Sequence, residues 1–400
     1  MSGSLKDVLI DSKDAVVTGM ELFLQEPEFL ICTTEMLFPL VEVATPFMKL
    51  VLQNEESSEV KYIKEQFQMV RDKLEEIADQ IVDINKALKK KDIDSEFFKI
   101  EENLLFLFEK YLDILEASPK FKEGKKTQFI EDYEAFPAEK DLNELYDAAV
   151  GDASFGCSIL DFAMDYTEKH RRALEQYFSR LLRLFYLGLI IVMGYKAITM
   201  ESGEKFKKQW SEKMLRVEAK MKSLIDDCIS NFPQQARIDV LKVCPLEEAG
   251  RSNSDLATLI LNVLKEKYDW VRWSVHVHDP CTSWFNYWFS FWSAKEDYHL
   301  HTGKSSFTFP EFTKHNVIVS YSSGLKQLDS ALIQKLVCHL ESKDVNCDLT
   351  KATSFLNENM PGHVVHILRG NQKMECSHNF PADCHYNESF QMFQLCIHSE

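Results

Sequence analysis

Glycine and proline are scarce in this 400-residue chain, at 13 and 11 residues. That scarcity excludes collagen-like and low-complexity architectures and leaves room for long uninterrupted helices. Long hydrophobic runs are also missing. A lone membrane-spanning helix needs roughly 20 apolar residues. The most apolar stretch, Leu181–Ile198, is interrupted by Arg183 and Lys196 and keeps 12 uncharged residues, Leu184–Tyr195. The ten cysteines contain no C-x-x-C pair, which excludes thioredoxin-type motifs and the common zinc fingers. Gly-x-Ser-x-Gly, His-Glu-x-x-His and Gly-x-Gly-x-x-Gly are absent, and with them the nucleophile elbow, the zinc-protease helix and the dinucleotide turn. His301-Thr-Gly-Lys-Ser305 ends like a phosphate-binding loop, but Tyr298 stands where the first glycine is needed. Without that glycine the backbone cannot curl round a phosphate. The expectation is a non-enzymatic chain with no catalytic residues, no cofactor and no metal. Residues Met1–Asp7 show no basic segment leading into an apolar one, so the expected setting is the cytoplasm, with reduced thiols.

What charge there is lies unevenly. The net charge is −17; residues 1–150 carry 18 Lys and Arg against 33 Asp and Glu, and residues 151–400 carry 28 against 30. The acidic region repels phosphate backbones, so no nucleic-acid partner is expected.

The strongest positive signal is periodicity. Val60, Ile63, Phe67, Val70, Leu74, Ile77, Ile81, Ile84 and Leu88 are spaced alternately by three and four, which puts them on one stripe of a helix or coiled coil. A second run starts at Phe97 and ends before Pro119. Residues 116–140, with Pro119, Gly124 and Pro137, read as a polar connector. A third run keeps one register from Leu160 to Ile198, and a fourth, Phe206 to Leu224, is expected to stop at Pro233. Phe29–Leu52 is apolar but contains Pro39 and Pro46, and reads as two or more short helices. After Pro233 the period changes. Trp270–Val277, Asn316–Tyr321, His363–Leu368 and Phe390–Ile397 are strand-like, with helices expected at 254–267, 329–341 and 348–359. The fold expected is mainly α: a long-helix bundle over 1–232, like helical pore-forming toxins by analogy, then a smaller α+β domain over 233–400.

Three features carry candidate function. Leu184, Phe185, Leu187, Leu189, Ile190, Ile191, Val192 and Met193 form an apolar helix segment. Lys169, Arg171, Arg172, Arg180 and Arg183 precede it, and Lys196, Lys205, Lys207 and Lys208 follow. Such flanks suit an anionic lipid surface; the competing reading is the central helix of a soluble bundle. Gly188 and Gly194 are expected to loosen it. Second, Trp284, Phe285, Trp288 and Trp292 lie in WFNYWFSFW, either core packing or an exposed aromatic loop for lipid or a partner. Third, Cys376-x-His378, Cys384-His385 and Cys396-x-His398 offer thiolates and imidazoles. Thiolates and imidazoles are zinc ligands, but the irregular spacing favours ordinary strand and loop residues over a zinc site; His276-Val-His278 alternates on one strand face and could hold a metal, with satisfied surface histidines the favoured reading.

Phe38-Pro-Leu-Val41, Glu56–Phe67, Leu74-Glu-Glu-Ile77, Leu184–Tyr195, Tyr268-Asp-Trp-Val271 and Asn316–Tyr321 together resemble the rapunzel family, best represented in fishes, over most of the chain. The resemblance implies no established enzymatic activity, a link to development, and a distant likeness to cephalotoxin-type proteins. The leading expectation is a membrane-associating helical protein that hides residues 184–195 until it meets lipid. The alternative is a soluble adaptor binding a protein partner through its α+β domain, and self-association is compatible with either.

Overall fold

Heptad spacing becomes helix geometry in the first of two units, Met1–Asn231 and Phe232–Glu400. The computed structural model describes residues 5–24, 34–80, 95–151, 158–243, 251–279, 299–309, 315–342, 349–369, 374–390 and 393–400. Within the described residues the first unit is helical throughout. Its helices are α1 (Leu5–Asp11), α2 (Lys13–Leu24), α3 (Thr34–Leu52), α4 (Ser58–Gln80), α5 (Ser95–Glu116), α6 (Pro119–Ala135), α7 (Ala138–Val150), α8 (Ile159–Tyr166), α9 (Arg171–Ile198) and α10 (Glu204–Ser230). Val60, Ile63, Phe67 and Val70 of the first stripe are buried; Ile81, Ile84 and Leu88 lie outside the described residues. Helix α9 is the axis of the unit and packs against α3, α4, α5, α7 and α10.

Four details differ from the sequence reading. Residues 119–135 are a helix rather than a connector. Pro119 takes the first helical position, where its missing N–H costs nothing, and Phe129 and Tyr133 turn inward. Pro39 and Pro46 do not break α3, which runs unbroken with twelve of its 19 residues buried. An interior proline costs about 3 kcal/mol, and burying an apolar side chain returns about 1.5–3 kcal/mol, so packing outweighs the broken ladder. The Leu160–Ile198 register is split at residues 167–170, where Glu168 and Lys169 adopt φ of 52° and 62°. Pro233 does not only stop a helix: it sits in the first turn of the next one, α11 (Phe232–Val243).

Side chains hold helix ends at long range. The Thr34 N–H donates to Glu218 Oε2 (3.0 Å) at the start of α3. Lys122 Nζ donates to the Val51 carbonyl (2.6 Å) and to Asn54 Oδ1 (2.7 Å) at its end. An anion at an N-terminus and a cation at a C-terminus both oppose the helix dipole.

The second unit adds α12 (Asn253–Lys267), β1 (Arg272–His278), β2 (His299–His301), β3 (Ser306–Thr308), β4 (Asn316–Ser322), α13 (Ser330–Ser342), α14 (Leu349–Asn359), β5 (His363–Arg369), β6 (Glu375–His378), β7 (His385–Ser389) and β8 (Phe393–Ser399). Among the described residues two four-stranded sheets form, ordered β3-β4-β1-β6 and β2-β5-β8-β7. Every pairing is antiparallel. Strand side chains alternate, and one face of each sheet packs on helices. Trp273, Val275, Val277, Val317 and Val319 join Leu256, Ile260 and Leu264 of α12. Val365, Ile367, Leu395 and Ile397 join Ile333, Val337 and Leu356 of α13 and α14. The other two faces meet each other, so the unit is layered helix, sheet, sheet, helix. The mainly α fold with a smaller α+β part is thus the observed one. The four strands expected from sequence became β1, β4, β5 and β8; the shorter β2, β3, β6 and β7 had not been anticipated.

Candidate functional site

Two places gather the candidate residues. The first is α9. Leu184, Phe185, Leu187, Leu189, Ile190, Ile191, Val192 and Met193 are all at most 1% exposed. An 18-residue window of this helix has mean hydropathy 1.7 and is 89% buried. By length and composition it can cross a membrane; the central helix of a soluble bundle passes the same test.

The glycines of α9 do something other than loosen it. A Cβ on Gly188 would lie 2.6 Å from Leu142 Cδ2, and one on Gly194 would lie 2.6 Å from Tyr111 Cε2. Both are close-approach positions, where α7 and α5 press against the α9 backbone.

The basic flanks are only partly displayed as the sequence suggested: Arg172, Lys205 and Lys208 are exposed, and the others are drawn into contacts within the unit. Lys169 pairs with Asp227 (2.6 Å), Arg171 with Glu175 (3.5 Å), Lys196 with Glu201 (3.3 Å) and Lys207 with Glu204 (2.7 Å). Arg180 pairs with Glu101 inside the bundle. Arg183 is fully buried; its Nε donates to the Phe23 carbonyl (2.9 Å), and its guanidinium lies over the Phe23 ring. A buried charge needs such partners to offset its lost hydration.

The second place is the layer between the two sheets. Ser274, His276 and His278 of β1, and Cys376 and His378 of β6, share one face of their sheet, because His276 is registered opposite Cys376 and Ser274 opposite His378. His366 of β5, Cys396 and His398 of β8 and His385 of β7 share the facing side, paired His366–Cys396 and His385–His398. His299 and His301 of β2 join them beside His366. Eight of the chain's 12 histidines therefore enter one layer. His276, His278, His366 and His398 are buried, so the reading of His276 and His278 as surface residues is corrected. Alternation had put them on one strand face; the second sheet that covers that face is not legible from β1 alone.

The layer is a hydrogen-bonded lattice. Ser320 Oγ is 2.7 Å from His398 Nε2 and 3.0 Å from His366 Nε2. His366 Nδ1 is 3.3 Å from His299 Nε2. Ser274 Oγ is 3.0 Å from His276 Nε2 and 3.1 Å from His385 Nε2. Burial, reinforced by the neighbouring imidazoles, pushes His299 and His366 well below the usual histidine range and His398 down to about 3. The two thiols diverge. A hydrogen bond from Cys396 draws Cys376 toward thiolate, while burial pushes the Cys396 thiol up.

The layer brings together every residue of the three tail motifs except Cys384. That thiol bonds instead to Asp383 Oδ1 beside the turn Ala382–Cys384. Trp284, Phe285, Trp288 and Trp292 lie outside the described residues. Trp273, upstream, packs in the core with Phe232, Tyr268 and Tyr321, at ring separations of 5.8, 5.7 and 5.6 Å. In the HTGKS segment, Gly303 has φ +94° and Lys304 N–H donates to Glu400 Oε1. A carboxylate thus occupies the backbone donor that a phosphate would need.

Residues 53–247, which cover most of the helical unit, match the family model of the cephalotoxin-like middle helical domain. More particularly, the chain is similar to protein rapunzel of Danio rerio: 27% identical over 221 residues, spanning 55% of this chain and 97% of that protein. Both findings support the rapunzel-family resemblance, with a distant cephalotoxin-like relation. No solved structure matches.

Proposed function

We propose that this is a non-enzymatic helical protein that associates conditionally with anionic membranes, using α9 as a lipid-contacting element masked inside the bundle. The observation that carries this reading is the combination in one helix of spanning hydropathy and near-complete burial. The cephalotoxin-like description of the matched family model is in keeping with it.

Energetics set the condition. Exposing the eight apolar side chains from Leu184 to Met193 to water costs of order 12–24 kcal/mol, at about 1.5–3 kcal/mol each. A domain's whole stability is about 5–15 kcal/mol, so the helix does not emerge into water unaided. Lipid has to cover it as it leaves. The ion pairs at its flanks have to exchange carboxylates for lipid phosphates, each basic residue near an anionic surface contributing about 1 kcal/mol.

The test is co-sedimentation and dye release with phosphatidylserine-containing vesicles over a range of pH, with zwitterionic vesicles as control. Binding confined to anionic vesicles is expected. Ile191→Asp, checked for folding by circular dichroism, is expected to abolish dye release. Wild type that neither sediments with vesicles nor releases dye at any pH rejects the reading and leaves the soluble adaptor in its place.

A further inference from the structure

Within the intersheet layer one cluster differs from the rest in kind. Cys376 Sγ, Cys396 Sγ and one ring nitrogen of His276 all lie within 4.8 Å of one another. His385 Nε2 is 3.3 Å from Cys396 Sγ and 3.9 Å from Cys376 Sγ. Zinc–sulfur bonds of about 2.3 Å and zinc–nitrogen bonds of about 2.0–2.1 Å place the sulfur and nitrogen ligands of a tetrahedral ion about 3.6 Å apart. The two measured separations straddle that value.

The surroundings point the same way. His276 and Cys396 are fully buried, yet His276 Nδ1 has no hydrogen-bond partner among the described residues, a property it shares in this layer with His278 Nε2 and His299 Nδ1, neither of which has a thiol beside it in the cluster. A buried imidazole nitrogen normally finds one. The four side chains also come from four strands, β6, β8, β1 and β7, drawn from both sheets. The backbone ladders of both sheets fix where each strand stands, so the cluster's preorganisation does not depend on loops.

The geometry points to a thiophilic metal site, Cys376, Cys396, His276 and His385, that takes a zinc-type ion and ties the two sheets of the second unit together. Two thiolates with two imidazoles form the soft, closed ligand set of structural zinc. The full burial of His276 and Cys396, with Cys376 half-buried, favours that role over a catalytic one, which requires an open position for water. Ser274 Oγ, 3.0 Å from His276 Nε2, orients that imidazole from outside the ligand set so that its Nδ1 ligates; the 3.1 Å contact of Ser274 to His385 Nε2 gives way when that nitrogen takes the metal. Binding releases the thiol protons to solvent, and the ion neutralises the resulting negative charge. Sequence spacing conceals this site because each strand supplies a single ligand.

The test uses the full chain, purified under reducing conditions and stripped with a chelator. Cobalt(II) is titrated first, followed by zinc. One equivalent of cobalt is expected to give intense thiolate-to-cobalt charge-transfer bands and tetrahedral d–d bands, both erased by one equivalent of zinc. Zinc is expected to raise the melting temperature of the wild type. Cys376→Ser/Cys396→Ser is expected to lose the bands and at least 100-fold in zinc affinity, while Cys384→Ser keeps both. If the double variant does not fold, the wild-type spectrum and His385→Ala decide. A wild type with no thiolate–cobalt bands and no retained zinc overturns the proposal. So does equal zinc retention by a folded double variant, or a Cys376–Cys396 disulfide in protein that takes up no metal when reduced.

Discussion

The two units bury their interiors with opposite chemistry. Around α9 the first unit is mostly apolar, and its few buried charges are partnered, Arg180 by Glu101, Arg183 by the Phe23 carbonyl and Lys122 by the Val51 carbonyl. The second unit keeps most of its apolar groups in two outer layers, each sheet against its helices, and gathers imidazoles, hydroxyls and thiols in the middle beside Leu368, Met374 and Phe380. A dispersion-packed core tolerates any filling of the right volume and shape. A polar layer tolerates only the partner that completes each hydrogen bond, since an unsatisfied buried group costs about 1–3 kcal/mol. The first unit is therefore specified by size and the second by chemical identity.

Substitutions that exchange these demands should break the contrast. The largest effect is expected from Leu187→Ala: the side chain is fully buried, and its loss should cost about 2–5 kcal/mol, read as a drop in urea midpoint. Leu215→Ala, at a position 45% exposed, should change the midpoint by less than about 0.5 kcal/mol. Equal shifts in the two variants would contradict the placement of α9. Gly188→Ala comes next. Helix propensity alone favours alanine by about 1 kcal/mol, but the new methyl would meet Leu142 Cδ2 at 2.6 Å. Overpacking costs about 1–3 kcal/mol, so a lower melting temperature is expected; a raised one would show that α7 yields easily.

The third prediction concerns acid and the second unit, and applies to metal-free protein. His299 is held well below the ordinary histidine value by burial and by His276, His278 and His301; His366 faces it from β5. A histidine whose folded value is depressed stays neutral while its unfolded counterpart takes up a proton. Stability is thus intact above about pH 6.5 and is lost as pH falls below it, by about 1.4 kcal/mol per pH unit for each such group. Urea midpoints at pH 7.5 and 5.5 should show this slope, and His299→Gln should shallow it by about one proton. An unaltered slope would mean that His299 is not the group taking up the proton. The smallest effect is expected at Lys140→Ala, which removes an exposed pair with Glu144 at 3.4 Å and should shift stability by less than about 0.5 kcal/mol.

The same contrast explains what could be read in the sequence. The helical unit was legible because its information is local: Val60, Ile63, Phe67 and Val70 announce a buried stripe by spacing alone. So were the fold class and the four long strands. The misjudged segments are those where packing overrides a local signal, as at Pro39 and Pro46, or where a proline opens a helix instead of ending one, as at Pro119. The candidate site in the second unit was not legible. His276 and Cys376 are 100 residues apart, and only the register of β1 against β6 makes them neighbours. Short strands such as His299–His301 are too brief to show a period. The histidine content of the region was visible, but not that alternation sends eight of them to a shared layer.

Both ends of α3 are held from far along the chain, 184 residues away at Glu218 and 71 at Lys122. This ties the protein's completion to a sequence of events in time. As the chain leaves the ribosome, residues 34–52 emerge before α10, carrying an apolar face and two prolines that weaken any isolated helix. Their first backbone donor meets its carboxylate only once α10 has been made. Contacts closing such long loops form late and slow folding. A chain halted before Glu218 would leave the first turn of α3 without its acceptor.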